Sequence, residues 1–148
     1  MTVLPLARIG VLLNKPTYLE EVKYQVLTHI RYLADSSGLF YHGWVFTDDG
    51  GHNFANALWA RGNSWITYAI PLLLEVMGLD EGDATRRFMV SSYKRQVDAL
   101  LAVQDKGGLW HTILDDTFSY LEVSGSAGFA AGIICGVRTV SNNTKNYH

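Results

Sequence analysis

The feature that most constrains this chain is a repeat inside it. Asp35-Ser-Ser-Gly-Leu-Phe-Tyr-His42 aligns with Asp105-Lys-Gly-Gly-Leu-Trp-His-Thr112. A Gly-Leu-aromatic core therefore returns after about 70 residues, which points to stacked copies of one supersecondary unit. An amphipathic helical pattern precedes each copy. Before the first copy, Leu19, Val22, Val26, Ile30 and Leu33 fall at helical spacing. Thr17-Tyr-Leu-Glu20 reads as a capping box opening that helix, with Pro16 just ahead of it as a stop for the preceding segment. Before the second copy, from roughly Asp83 to Gln104, Met89, Tyr93, Val97 and Leu100 make an apolar stripe. Arg86, Arg87, Lys94, Arg95 and Asp98 supply its polar side.

A different kind of helix follows each copy. Trp65–Met77 and Ala127–Val137 are apolar on nearly every face, and such a helix must be buried all round. Pro71 should kink the first or loosen one of its turns. Gly125, Gly128, Gly132 and Gly136 cost helix propensity in the second, so close backbone approach is the reason to expect for them. Strand signals are nearly absent. The pattern predicts an all-α array of helical hairpins in two concentric layers. The loops carrying Tyr41–Trp44, Trp59–Arg61 and Leu109–His111 should emerge at one rim, where function would sit.

Composition narrows the function classes. The chain has 148 residues, of which 48% are apolar and 12% aromatic, with a formal net charge of -2. This suits one domain or a piece of a larger one, and excludes a disordered chain. A near-neutral balance gives no electrostatic footprint for nucleic acid or an anionic membrane surface. No apolar run reaches about 18 residues, so no bilayer span is expected. Cys135 is the one cysteine, which excludes an internal disulfide and mildly favours a reducing compartment. Met1–Arg8 lacks the basic start of a leader and reads as the inside of an apolar helix. Ser141–His148 is a polar tail, and its Asn142-Asn-Thr144 glycosylation triplet is unsupported by any secretion signal.

Trp59-Ala-Arg-Gly-Asn-Ser-Trp65 is the segment richest in chemistry. Flat indole faces stack on sugar rings, and arginine holds a carboxylate by two parallel hydrogen bonds. Gly62 would permit an unusual turn, and the free amides of the helix that follows favour an anion. Together these suit an acidic sugar. The competing reading is packing, with both indoles in the core and Arg61 paired with Asp48, Asp49 or a carbonyl. His42 could orient a hydroxyl or relay a proton, or could simply be bonded within its loop. His111 stands at a nearly matching point of the second copy. His29 and His52 lack neighbours at zinc-ligand spacing, so neither a metal nor another cofactor is expected. Asp115 and Asp116 read as turn residues. Glu122 could reach a ligand, although capping the next helix suits it better. Ser124-Gly-Ser-Ala-Gly128 lacks the first glycine and the strand of a nucleophile elbow.

Four segments in order, Gly38–Trp44, Ala57–Trp65, Gly108–His111 and Ser119–Ala127, carry a resemblance. They are similar to the unsaturated rhamnogalacturonyl hydrolases of glycoside hydrolase family 105, related to the unsaturated glucuronyl hydrolases of family 88. The resemblance covers residues 1–138 as part of a six-hairpin (α/α)6 toroid, and the polar tail 139–148 departs from it. It implies an oligosaccharide substrate bearing a 4,5-unsaturated uronic acid left by pectin lyases. It also implies hydration of the vinyl ether: an aspartic acid protonates C4, water adds at C5, and the hemiketal opens. Substrate contacts carry over to His42, Trp59, Arg61 and Trp65, while Glu122 and Ser124 match a motif on the same rim. The family's catalytic aspartate would stand just before the point matching Met1. The chain is thus expected to be an arc of about two to three hairpins with no turnover alone, prone to self-association through uncovered helix faces. A cytoplasmic location goes with imported oligosaccharides. A non-catalytic carbohydrate-binding remnant and a helical scaffold for protein partners are the alternatives.

Overall fold

The computed structural model describes residues 2–141, so the Asn142–Thr144 triplet and the rest of the tail lie outside the described residues. The elements run α1 Val3–Leu12, α2 Pro16–Leu33, β1 Trp44–Val45, β2 His52–Asn53, α3 Ala60–Met77, α4 Ala84–Ala102, β3 Trp110–His111, β4 Leu121–Glu122 and α5 Val123–Ser141. Helices α1, α3 and α5 form one layer, with α3 in the middle; α2 and α4 form the other and pack on each other. Val22, Val26 and Ile30 of α2 meet Ile70 and Leu73 of α3 and Met89 and Tyr93 of α4 in the main core. A second core of Leu39, Leu58, Leu100, Trp110, Leu114 and Phe129 lies under the rim. α5 runs on through residue 138, where the resemblance ends, to Ser141.

The repeated segment is one turn made twice. Asp35 Oδ1 accepts hydrogen bonds from the Ser37 and Gly38 amides, and Asp105 Oδ1 accepts one from the Gly107 amide. Each aspartate amide then donates to the carbonyl of the leucine four residues on, Leu39 or Leu109. Gly38 and Gly108 take φ of 104° and 84°, a region that penalises any residue with a Cβ. After each turn the aromatic residue is tied to the next inner helix. Asn63 accepts from the Phe40 amide and donates to its carbonyl, both at 2.8 Å. Ser126 Oγ accepts from the Trp110 amide at 3.0 Å.

The glycines of α5 do what their cost implied. An added Cβ at Gly128 would lie 2.7 Å from Ser64 Oγ, one at Gly132 would lie 2.7 Å from the Thr67 carbonyl oxygen, and one at Gly136 would strike the Tyr93 hydroxyl. The stripe lets α5 press on the small face Ala60, Ser64 and Thr67 of α3. Pro71 has no amide to offer the Thr67 carbonyl, and it is there that Gly132 makes its approach. α3 continues unbroken through this point.

Several expectations need correction. α2 has no capping box: Pro16 is its first residue, Lys15 precedes it without a side-chain bond, and Glu20 pairs with Lys23 at 2.9 Å. Proline at the first position loses no hydrogen bond, because that amide would be unpaired in any case. Arg86 is buried rather than on a polar face. α5 is covered where it meets α3, Tyr93 of α4 and the second core, while Ile134 and Val137 stay exposed. Val123–Val140 is also long and apolar enough to cross a membrane by length and composition, against the expectation that no segment was. The glycine face of that helix is packed on α3.

Candidate functional site

The site forms where the two loops meet. Trp59 bridges Ile113, the Ala60 amide donates to the Thr112 carbonyl, and the Leu114 amide donates to the Leu58 carbonyl. A short antiparallel ladder pairs Trp110 with Glu122 and His111 with Leu121. These bonds, with the glycine stripe, bring the first turn of α3 against the residues just before α5. Gly125 approaches close enough that a Cβ there would lie 3.3 Å from the Arg61 amide nitrogen.

Arg61 projects from this first turn. Its guanidinium carbon lies 4.9 Å from the Trp59 ring centroid, a cation–π distance. Its Nε meets Glu122 Oε1 at 3.1 Å. The pair is asymmetric: the Arg61 side chain is 49% exposed and that of Glu122 only 6%. The partner is thus neither Asp48 nor Asp49. Glu122 does not cap α5; its carboxylate also accepts from Ser124 Oγ at 2.5 Å and from Thr112 Oγ1 at 3.1 Å. Glu122 therefore sits buried beside Arg61, and the exposed Ser124 bonds its carboxylate.

His42 is exposed and stands edge-on to Trp59, with ring centroids 5.0 Å apart. Phe54 meets the other side of the same imidazole at 5.8 Å. The sequence did not single out Phe54; its signal was faint, a lone aromatic in a polar loop. Trp65, on the second turn of α3, is 46% exposed, so neither this indole nor the half-buried Trp59 is a core filler. His42, Trp59, Gly62 and Trp65 line a cavity of about 400 Å³ together with Thr2, His29 and apolar residues of α1, α2 and α3. The exposed His29, His42 and Trp65 mark its mouth, and Arg61 stands beside it, not in its lining. Gly62 makes no special turn. It lies inside α3, where a Cβ would sit 3.3 Å from the Trp59 ring and 3.7 Å from His42 Nδ1, so its smallness keeps the mouth open. No side chain caps α3, and the first of its amides, that of Ala60, is already bonded to the Thr112 carbonyl.

Apart from His29, the remaining candidates do not line this cavity. His111 Nδ1 is bonded to the Ser119 carbonyl at 2.5 Å. Asp116 Oδ1 accepts from the Phe118 amide, as a turn residue does. Among the described residues no three or more of His, Cys, Asp and Glu gather as metal ligands would.

The comparisons agree with this architecture. The family model for Glycosyl Hydrolase Family 88 matches residues 1–148. The chain belongs to that family. It is 36% identical over 131 residues to the unsaturated rhamnogalacturonyl hydrolase YesR of Bacillus subtilis, covering 86% of this chain and 36% of that protein. An unsaturated 3S-rhamnoglycuronyl hydrolase of Alteromonas is 32% identical, over 84% of this chain and 30% of its own length. A solved structure from Salmonella enterica, described as a possible member of GH105 family, superposes with a TM-score of 0.88 at 57% identity. That match covers 93% of this chain and 36% of the other. The unsaturated glucuronyl hydrolase of Bacillus sp. GL1 shares the fold, with a TM-score of 0.72 at 21% identity over 90% of this chain and 37% of that one. The chain thus spans about a third of the length of these relatives, as an arc of the six-hairpin all-α glycosidase fold.

Proposed function

We propose that this chain forms the uronate-recognising arc of a hydrolase that releases 4,5-unsaturated uronic acid from pectin-derived oligosaccharides. One observation carries the reading: a half-exposed guanidinium lies over Trp59 beside the mouth formed by His42, Trp59 and Trp65. An indole offers a sugar face, a guanidinium a fork for the uronate, and an imidazole a partner for a hydroxyl. A cavity of about 400 Å³ is of small-ligand size. The names of the relatives support the substrate class.

The reaction in this reading begins with protonation of C4 by a carboxylic acid, followed by water at C5 and opening of the hemiketal. Glu122 is not that acid, because Arg61, Ser124 and Thr112 already occupy its carboxylate. In this reading the chain supplies groups that bind the uronide, and no turnover is expected of it alone. Action in the cytoplasm on imported oligosaccharides goes with the lack of any disulfide framework. Self-association goes with the exposed Ile134 and Val137 of α5 and Leu12 and Leu13 at the end of α1.

Titration calorimetry of the full chain with an unsaturated uronyl disaccharide tests the reading. Saturable binding that is lost in Arg61→Ala supports it. No heat with the wild-type chain, or equal heat with the variant, refutes it. Loss of the enol-ether absorbance on incubation with the chain alone would refute the claim that it lacks turnover.

A further inference from the structure

We infer that Glu122 is a positioning residue: its buried carboxylate, in ion-pair contact with Arg61, holds the guanidinium over Trp59 for a ligand carboxylate. The inference rests on the uronate reading above and refines it.

Glu122 is buried and fully engaged. Oε1 accepts the Ser124 hydroxyl at 2.5 Å and makes an ion-pair contact with Arg61 Nε at 3.1 Å, while Oε2 accepts the Thr112 hydroxyl at 3.1 Å. Its backbone is held as well, by the pairing with Trp110 and by the Ser126 hydroxyl, which donates to its carbonyl at 2.6 Å. The carboxylate is thus a fixed point, anchored by groups from the second loop and from α5. Arg61 comes from α3 and is half in water. Unrestrained, such a side chain samples many rotamers, and ordering it on binding costs affinity.

A guanidinium presents two forks, one using Nε with a terminal nitrogen and one using both terminal nitrogens. Glu122 meets the guanidinium at Nε as an ion pair, and the guanidinium carbon lies 4.9 Å from the Trp59 centroid. A ligand carboxylate that meets this guanidinium brings its sugar ring beside Trp59. The negative charge of Glu122 acts in the opposite sense, since it offsets the attraction of Arg61 for an anion. Glutamine separates the two effects, because it keeps the shape and an acceptor while removing the charge.

The full chain is titrated with an unsaturated uronyl disaccharide and with its uncharged methyl ester, and each variant's melting is checked. The wild type should bind the acid more tightly than the ester. Glu122→Ala should weaken the acid about tenfold and leave the ester unchanged, while Glu122→Gln should fall between. Ser124→Ala, which keeps the carboxylate, should shift the acid in the same direction by less. A structural role alone would weaken acid and ester together, and that result overturns the inference. Tighter binding of the acid by Glu122→Gln than by the wild type overturns it too, since charge would then outweigh aim. A ligand-free arm reads the mobility of the Arg61 guanidinium by nitrogen-15 NMR relaxation. It should be restrained in the wild type and freer in Glu122→Ala; equal mobility in both refutes the positioning directly. If the wild type does not distinguish acid from ester, the uronate reading itself fails. If the wild type distinguishes them and Glu122→Ala still does so equally, only the present inference falls.

Discussion

The two copies of the Gly-Leu-aromatic turn share a backbone and differ in what they leave free. In the second copy nearly every polar group is spoken for. Trp110 Nε1 donates to the Leu100 carbonyl, His111 bonds the Ser119 carbonyl, and Thr112 donates to Glu122. In the first copy Trp44 Nε1 is buried with no partner among the described residues, and His42 is exposed at the cavity mouth. The first loop is also longer, carrying β1 and β2 before it returns to Trp59. One turn therefore serves two ends. The second copy is a support whose hydrogen bonds close on themselves, and the first is a presenting loop whose side chains face outward. A repeat fixes the path of the chain, and the side chains after the turn decide whether that path binds anything.

This contrast can be broken at its hinge. The largest effect is expected from Gly132→Ala, because the new methyl would meet main-chain atoms of Thr67 that cannot turn aside. It should destabilise the chain by about 3 kcal/mol in a denaturant titration. It should also loosen Arg61 from Glu122, since the same helix contact registers both. Asn63→Ala comes next. Asn63 is 1% exposed and ties Phe40 to α3 through both backbone groups, so its loss strands a buried donor and acceptor. A cost of about 2–3 kcal/mol is expected, against about 1–2 kcal/mol for Ser126→Ala, whose hydroxyl makes one bond to the second loop's aromatic residue and one to Glu122. Equal costs would mean that the two loops are anchored alike.

The histidines sharpen the comparison. His111→Ala should cost about 1 kcal/mol of stability, through its bond to Ser119, and leave uronide binding unchanged. His42→Ala should leave stability unchanged and weaken binding several-fold, as loss of roughly one hydrogen bond does. Reversal of the two outcomes would exchange the roles assigned to the loops.

The smallest effect at neutral pH concerns Tyr93, under the second inner helix. Its hydroxyl donates to the Gly132 carbonyl at 3.0 Å, and burial pushes its pKa up from 10.0 to about 12. The folded chain keeps this proton where the unfolded chain gives it up. The stabilisation is complete below pH 10 and is lost as pH rises through 12. Alkaline denaturation curves should steepen over this window in the wild type and flatten in Tyr93→Phe.

Much of the fold was legible because it is local. Helical spacing marked α2 and α4, two glycines marked the turns, and the cost of four glycines in α5 implied close approach. The capping box on α2 misled because Pro16 already supplies a better start. The exposure of α5 was hidden for another reason: an apolar helix states what it needs to bury and not whether its neighbours are present. Arg61, Trp59, Trp65 and His42 could be picked out by type, since few other residues stack on sugars or fork a carboxylate.

What the sequence determined by itself is the set of parts: two outer helices, two apolar inner ones, a duplicated turn and one aromatic-flanked arginine. Each depends on contacts within a few residues, so each leaves a spacing that can be read. What only the tertiary structure decided is that Arg61 and Glu122 meet, and that Glu122 serves the arginine instead of capping its own helix. That meeting depends on how far α5 slides along α3. The sliding is set by glycines and small side chains interlocking across the interface, and no pattern within either helix records it.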